Sequence, residues 1–207
     1  MNLQGIHHLT AISARIRENY RFYTRTLGLR LVKRSVNQDD VSAYHLFYAD
    51  AKGAPGTNLT FFDWPVPPEQ RGTRSITRTA LRVAGREALS WWGEHLNEAG
   101  VATGPLVERD GRLALDFEDP EGQRLTLIDD GGSGEAHPWE RSPVPAAYQI
   151  RGLGPITMSV ARPAAHRCGA ATGAEHASRA PLRAPGESAA HGPCLCYGAG
   201  GPGAELH

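Results

Sequence analysis

Cysteine is missing from the first 167 residues of this 207-residue chain, because its three cysteines stand at positions 168, 194 and 196. A disulfide framework is therefore excluded for most of the sequence. An excess of charge of either sign is also missing, since 22 lysine and arginine residues balance 22 aspartate and glutamate residues. That balance argues against a surface for nucleic acid or anionic membranes.

Long hydrophobic runs are absent as well. No apolar stretch approaches the roughly 18 residues that a membrane-spanning helix needs. The first residues lack the basic-then-apolar order of a secretory signal. We therefore expect a soluble, cytoplasmic protein with neither membrane nor nucleic-acid partners.

The last 47 residues, 161–207, contain no isoleucine, valine, phenylalanine, tryptophan or methionine, and alanine, glycine and proline make up 26 of them. Such a segment buries too little apolar surface to offset the loss of chain entropy, so the sequence predicts disorder there. Two explanations are open. The segment is either a native flexible tail or the product of a reading-frame shift, and we favour the shift because the regular pattern stops directly after a good strand at 151–160.

Residues 1–66 follow the order strand, helix and three strands. The segment 5–12 is typical of a buried strand. Ile16, Tyr20, Tyr23 and Leu27 then form one apolar stripe of a helix, and Gly28 stands where a left-handed helix end is expected. Three further strands are predicted at 30–36, 43–49 and 58–64.

The same order returns in residues 72–131. A strand is predicted at 75–83, and a helix from about residue 86 ends at Gly100. Strands at 106–108 and 113–117 meet at the hairpin dipeptide Asp110-Gly111, and a last strand covers 124–128. The helix carries its apolar residues on one face: Leu89, Trp92, Leu96 and Ala99.

The predicted fold class is therefore α+β, with two complete βαβββ units in tandem. A linker at 132–150 follows, and 151–160 is the first strand of an incomplete third unit. A unit of this kind leaves one concave sheet face uncovered, so pairing of units should bury that face or enclose a cavity. A chain without its full set of units should self-associate or dimerise through it.

The adjacent pair His7-His8 on the first strand is the most informative candidate for chemistry. Because neighbouring strand residues point to opposite faces, one imidazole is expected to enter the cavity. An imidazole inside a curved sheet is a natural ligand for Fe(II), Mn(II) or Zn(II). A hydrogen-bonded structural histidine is the other interpretation, and spacing alone does not decide between them.

Several motifs together resemble the ring-cleaving dioxygenases of the vicinal-oxygen-chelate superfamily, and most closely their hydroquinone-dioxygenase branch. They are Gly5-Ile-His-His-Leu-Thr-Ala-Ile, Leu27-Gly-Leu, Leu31-Val-Lys-Arg34, Tyr44-His-Leu-Phe-Tyr-Ala-Asp50 and Gly53-Ala-Pro-Gly-Thr57. The resemblance continues through Trp91-Trp92 and the Asp119-Pro-Glu-Gly turn. It implies four βαβββ units, an aromatic diol and dioxygen as substrates, and Fe(II), with Mn(II) as an alternative, held by two histidines and one glutamate.

Matched onto this chain, the resemblance makes His8 the first metal ligand and gives His7 a supporting or substrate-contacting role. Thr60 and Thr126 occupy the position at which a ligand-bearing unit has its glutamate. The remaining ligands would belong to a fourth unit, which this sequence does not contain. We therefore expect the chain to retain iron poorly and to have little or no activity, so its status as an enzyme is open.

His45 and Thr60 are candidates for the substrate pocket, with a buried hydrogen-bonded histidine as the plainer interpretation of His45. Lys33-Arg34 would either attract an anionic diolate or protect a strand edge. His95 is expected to be a solvated or interfacial helix residue. A zinc site formed by Cys168, His191, Cys194, Cys196 and His207 is disfavoured by the surrounding composition. The alternative functions are a metal-free, drug-sequestering binding protein and a glyoxalase-like lyase.

Overall fold

The computed structural model describes residues 5–38 and 40–160, together with the backbone of 197–198. Its helices are α1 (Ile16–Arg21), a π-helical segment (Phe22–Thr26) that continues it, and α2 (Gly85–Glu98). No helix in this part of the chain is both long and apolar enough to cross a membrane. The strands are β1 (His8–Ser13), β2 (Arg30–Val36), β3 (Tyr44–Ala49), β4 (Asn58–Asp63), β5 (Ser75–Val83), β6 (Val107–Arg109), β7 (Arg112–Glu118), β8 (Arg124–Asp129), β9 (Gly152–Ser159) and β10 (Tyr197–Gly198).

The strands form two sheets with the same internal order. The first is β10-β1-β4-β3-β2 and the second is β9-β5-β8-β7-β6. In each sheet the first strand of the unit runs parallel to the last, and the other pairs within the unit are antiparallel. This agreement confirms the predicted α+β fold of tandem βαβββ units.

The first helix differs from the predicted stripe in one residue. Tyr20 was expected on the buried face, but its side chain is 40% exposed, whereas Asn19 and Tyr23 are buried. The π-helical segment that begins at Phe22 widens the turn and shifts the phase of the helix. Asn19 in turn accepts a hydrogen bond of 2.9 Å from the Tyr48 hydroxyl beneath the helix.

The second helix packs as the sequence predicts at three of the four residues of its apolar face, and the prediction is wrong for Ala99. Leu89, Trp92 and Leu96 are fully buried against the second sheet, while Ala99 lies beyond the helix end and is exposed. In the hairpin between β6 and β7, Asp110 and Gly111 take the positive φ angles of 52° and 72° that a tight turn requires.

The turn after β7 locks the second unit onto the first. Asp119 accepts a hydrogen bond of 3.1 Å from the buried Tyr23 hydroxyl. Glu121 accepts hydrogen bonds from the Ser13 hydroxyl and, at 2.9 Å, from the backbone N–H of Ala14. The two units are therefore joined by charge-assisted hydrogen bonds at the end of β1.

The strand predicted at 151–160 is present as β9, which pairs antiparallel with β5. It begins at Gly152, whose φ of 137° and whose approach to the Gly56 carbonyl both require glycine, because a Cβ there would lie 2.8 Å from that oxygen. Of the tail predicted to be disordered, residues 161–196 and 199–207 lie outside the described residues. The strand Tyr197–Gly198 pairs with β1 opposite His8 and Leu9.

Candidate functional site

The side of the first sheet away from α1 carries the candidate site residues. Leu9, Leu59 and Phe61 point toward the helix and are at most 2% exposed. Their strand neighbours face the other way and line up across β1, β4 and β3 by direct pairing. We call these six residues the first open face: His8, Thr10, His45, Phe47, Thr60 and Phe62.

His8 contacts His7 through their ring nitrogens. The two Nδ1 atoms are 3.1 Å apart, and the rings meet edge to face. The rule of opposite faces does not separate this pair, because β1 begins at His8 and His7 lies before the regular strand. Burial, followed by the charge of His7, lowers the pKa of His8 below its ordinary value. His8 is therefore favoured as the neutral imidazole that a metal requires.

The contact with His7 is compatible with the tautomer of His8 that a metal needs. A hydrogen bond between two Nδ1 atoms needs one N–H and one lone pair. When His8 donates from Nδ1 to His7, its Nε2 lone pair remains available. Metal-binding histidines have this arrangement, with the second ring nitrogen held by a neighbouring acceptor.

His45 and Thr60 are brought together on the same face. The Thr60 hydroxyl donates to the Thr10 hydroxyl at 2.9 Å and lies 3.0 Å from Nε2 of His45. Because the only proton of Thr60 goes to Thr10, His45 acts as the donor from Nε2. Burial first, and then the charges of Lys33 and His8, lower the pKa of His45 to about 4. His45 is thus neutral at pH 7.

Aromatic rings flank His45 on both sides. The Phe47 ring centroid lies 4.1 Å from that of His45, and the Phe62 centroid lies 4.0 Å away in a stacked arrangement. Trp64 stacks on Phe62 at 5.0 Å. The Lys33 ammonium sits 5.3 Å from the centre of the Phe47 ring. The face therefore combines flat apolar walls with one cation.

Sequence reasoning missed Thr10, Phe47, Phe62 and Trp64. The signal for the first three was available in strand alternation, because each lies two residues from His8, His45 or Thr60 and so shares its face. Lys33 lies on this side of the sheet, where it pairs with Phe47. Arg34 instead lies over the ring of Tyr44.

The remaining candidates are structural or undescribed. His95 stacks on Trp91 at 4.5 Å, and its Nε2 lies 2.9 Å from the Thr26 carbonyl, which fits the interfacial role expected for it. Every member of the disfavoured zinc cluster lies outside the described residues. Among the described residues, no three His, Cys, Asp or Glu side chains come close enough to hold one metal ion. His8 thus fits a metal as one ligand, but these residues do not complete a site.

The second unit lacks histidine at the corresponding place. Thr126, the counterpart of Thr60, pairs with Ala80 on β5, and Arg78 precedes Ala80 as His8 precedes Thr10. The Thr126 hydroxyl donates to Asp116 at 2.5 Å. Arg109 holds the same carboxylate by two hydrogen bonds of 3.0 and 2.8 Å. We call Arg78, Ala80, Arg109, Asp116 and Thr126 the second open face.

A model of the Glyoxalase/Bleomycin resistance protein/Dioxygenase superfamily matches residues 5–127 of the chain. This range contains the first unit, the second unit as far as the middle of β8, and more than half of the sequence. The match therefore rests on the whole repeated fold and not on one short motif.

Curated relatives carry names of ring-cleaving enzymes. MhqA of Bacillus subtilis, named as a ring-cleaving dioxygenase, is 42% identical over an alignment that covers 100% of this chain and 66% of MhqA. The chlorohydroquinone/hydroquinone 1,2-dioxygenase of Sphingobium indicum is 32% identical, over 77% of this chain and 51% of that protein. The chain thus spans about half to two thirds of the length of these relatives. The alignment with MhqA extends through residues 161–207, and the frame shift remains a prediction.

Solved structures agree with the fold. A Bacillus subtilis protein described as a dioxygenase superposes with a TM-score of 0.69 at 36% identity, over 76% of this chain and 50% of that one. A glyoxalase family protein of Enterococcus faecalis is matched over 100% of its length and 62% of this chain, with a TM-score of 0.52 and 22% identity. The second likeness shows the fold alone.

Proposed function

Because the chain belongs to the Glyoxalase/Bleomycin resistance protein/Dioxygenase superfamily, we propose that it forms the metal-binding N-terminal part of a ring-cleaving dioxygenase. The substrate class is a dihydroxylated aromatic compound of the hydroquinone or catechol type, cleaved with dioxygen. The observation that carries the proposal is the position of His8 on the first open face, with His7 against its Nδ1. The names of MhqA and the hydroquinone dioxygenase support the reaction class.

Fe(II), with Mn(II) as the alternative, would supply coordination positions at which the diol and dioxygen meet. The part of this chain's own residues is to place and hold the reactants. His7 fixes the ring of His8, so that one nitrogen of His8 points to the metal. Thr60 accepts the Nε2 proton of neutral His45, which leaves Nδ1 as an acceptor for a ring hydroxyl without adding a charge to the site.

The aromatic walls suit a flat substrate. Phe47 and Phe62 offer ring faces on which a benzene ring can stack, and such contacts are favourable beyond simple burial. Lys33 adds a cation near the same face, which favours the ionised form of a phenolic hydroxyl.

Paramagnetic broadening with Mn(II) tests the role of His8 directly. Titrating Mn(II) into the chain should broaden the NMR signals of His8 and its neighbours His7 and Thr10 before those of residues away from the first open face. His8→Gln should remove this effect, while the matched change His95→Gln on α2 should leave it unchanged. Broadening that is centred elsewhere, or that survives His8→Gln, contradicts the assignment.

Retention of iron is the second test. One imidazole holds Fe(II) weakly, so an anaerobic Fe(II) titration of this chain should show no tight stoichiometric binding and no oxygen uptake with hydroquinone. Tight binding with hydroquinone turnover would show that the chain carries a complete site, and the expected inactivity would then be wrong.

A metal-free binding protein is the second candidate, favoured by the aromatic walls around His45. If this candidate is right, hydroquinone should bind with unchanged affinity in the presence of a metal chelator, and Phe62→Ala should weaken binding. If the dioxygenase proposal is right, the metal should raise the affinity for hydroquinone, and the chelator should abolish that increase.

A further inference from the structure

A cavity of about 980 Å³ lies between the helix of the first unit and strands β7 and β8 of the second. It does not include His8, His45 or Thr60, so it is separate from the first open face. Four arginines line it: Arg21 and Arg25 from the first unit, and Arg78 and Arg124 from the second. Guanidinium groups remain charged at every pH at which the protein is folded.

The two most buried carboxylates of the cavity already have partners. Asp116 binds Arg109 at 2.8 Å and Arg78 at 3.2 Å. Asp119 accepts the Tyr23 hydroxyl and two backbone N–H groups of its own turn. Only Arg78, of the four lining arginines, is neutralised by either of them.

The two exposed carboxylates are held by arginines that are not part of the lining. Glu18 forms an ion pair of 2.7 Å with Arg15, and Glu118 forms one of 2.7 Å with Arg71. Both carboxylates are therefore engaged by arginines outside the lining and form no ion pair with Arg21, Arg25 or Arg124.

Three lining arginines remain without a counter-charge. Within the described ranges, the side chains of Arg21, Arg25 and Arg124 form no ion pair and donate no hydrogen bond. Nε of Arg78 is buried and also lacks a hydrogen-bond partner among the described residues. The four lining arginines are matched in number by four lining carboxylates. Three of those carboxylates bind Arg15, Arg71 and Arg109 from outside the lining, so free guanidinium N–H donors remain in the cavity.

From this arrangement we propose that the cavity binds a small oxyanion-bearing molecule, with a phosphate or carboxylate group held by Arg25, Arg78 and Arg124. A guanidinium presents paired N–H groups that match both kinds of oxyanion. The open cleft between the two units gives a concave surface of the kind that small-molecule sites favour. This site is independent of the dioxygenase proposal, since it shares no residue with the first open face.

Ligand-dependent thermal unfolding of the full chain tests the proposal. Inorganic phosphate and malonate are titrated separately at pH 7, with sodium chloride adjusted to keep the ionic strength constant. A ligand that binds the folded state should raise Tm to an extent set by its Kd. A saturable rise with either probe is expected, and the probe that saturates at the lower concentration identifies phosphate or carboxylate as the preferred group.

Variants then localise the site. Arg25→Gln and Arg124→Gln should each weaken the apparent Kd roughly tenfold, as expected for losing one charge-assisted contact. Arg17→Gln removes the same charge from α1 outside the cavity and should leave Kd unchanged. Because Arg25 is exposed, Arg25→Gln should not disturb the fold. Calorimetric titration of this variant therefore measures directly whether the Kd for the ligand has risen. No saturable shift with either probe, or equal Kd values in all three variants, overturns the proposal.

Discussion

The two open faces occupy equivalent places in two copies of one fold, yet they differ in charge. In the first, a neutral imidazole and threonine hydroxyls sit among aromatic rings. In the second, Asp116 is surrounded by two arginines and a threonine hydroxyl. The threonine is common to both, so the different chemistry comes from its neighbours.

The comparison shows how one strand arrangement supports opposite uses. A face built from neutral imidazoles, with no ion pairs among its own residues, leaves nitrogen lone pairs for a metal or substrate. A face whose carboxylate is satisfied by arginines is stabilised by its own ion pairs and has no ligand for a metal. The arginines without ion-pair partners lie instead in the cavity between the units, and Arg124 is the one that the second unit contributes.

The largest expected effect is on the second open face. Asp116→Ala leaves Arg78 and Arg109 facing each other without their shared counter-charge. Because these arginines are about a third exposed, we expect a loss of about 2 kcal/mol in the free energy of unfolding, less than for a fully buried pair. Urea denaturation at pH 7 measures it, with Glu108→Ala on the exposed side of β6 as the control. If Asp116→Ala lowers the free energy of unfolding by less than Glu108→Ala does, the ion pairs of Asp116 do not stabilise the fold.

The next largest effect is a pH dependence of the free energy of unfolding that comes from the first open face. Burial, then the charges of Lys33 and His8, lower the pKa of His45 to about 4 from 6.5. The unfolded chain therefore binds more protons between these values, and the free energy of unfolding should fall as pH drops through this window. We expect a loss of about 1 kcal/mol from this half-buried group, and His45→Gln should remove that part of the pH dependence while the contribution of His8 remains.

The second face should respond in a lower pH range. Burial alone would raise the pKa of Asp116, but hydrogen bonds from Arg109 and Thr126 and the charge of Arg78 bring it below its ordinary value of 3.8. Its contribution is complete above pH 3.8 and is lost as pH falls through the lowered pKa. Asp116→Asn should thus lower the free energy of unfolding at pH 7 and remove the pH dependence of stability in this lower range, while the slope near pH 6 stays as it is. A change near pH 6 would contradict the separation.

The smallest effect concerns the shared threonine. Thr60→Val removes the hydroxyl that lies between His45 and Thr10 and should cost about 0.5–1 kcal/mol in unfolding free energy. The loss should also change the tautomer of His45, because the acceptor for its Nε2 proton disappears. Nitrogen-15 NMR of the imidazole measures this change, and Thr126→Val provides the matched variant in the second unit, where no histidine signal should move.

Much of the fold could be predicted because it depends on local patterns. Strand alternation, the Asp110-Gly111 turn and the helix end at Gly28 all follow from residues close together in the chain. The phase of the first helix could not be predicted, because the π-helical turn from Phe22 onward serves contacts with Tyr48 and Phe61 on distant strands.

The candidate site was predicted in part. His8 and His45 could be selected as unusual residue types on strands, but the aromatic walls could not be assigned to the same site, since phenylalanine on a strand is ordinarily a core residue. The ion-pair network of Asp116 was also not foreseen. Its members lie on three strands, and only strand pairing brings their side chains together.

The amino-acid order by itself determined the repeated βαβββ units, the positions of the turns and the resemblance of the His7-His8 strand to a metal-binding one, because each depends on periodicity or on a short motif. Tertiary structure decided which residues share a face with His8, the contact of its Nδ1 with that of His7, and where arginines are left without counter-charges. These properties depend on distances between residues far apart in the chain, and only the packed sheets and helices define those distances.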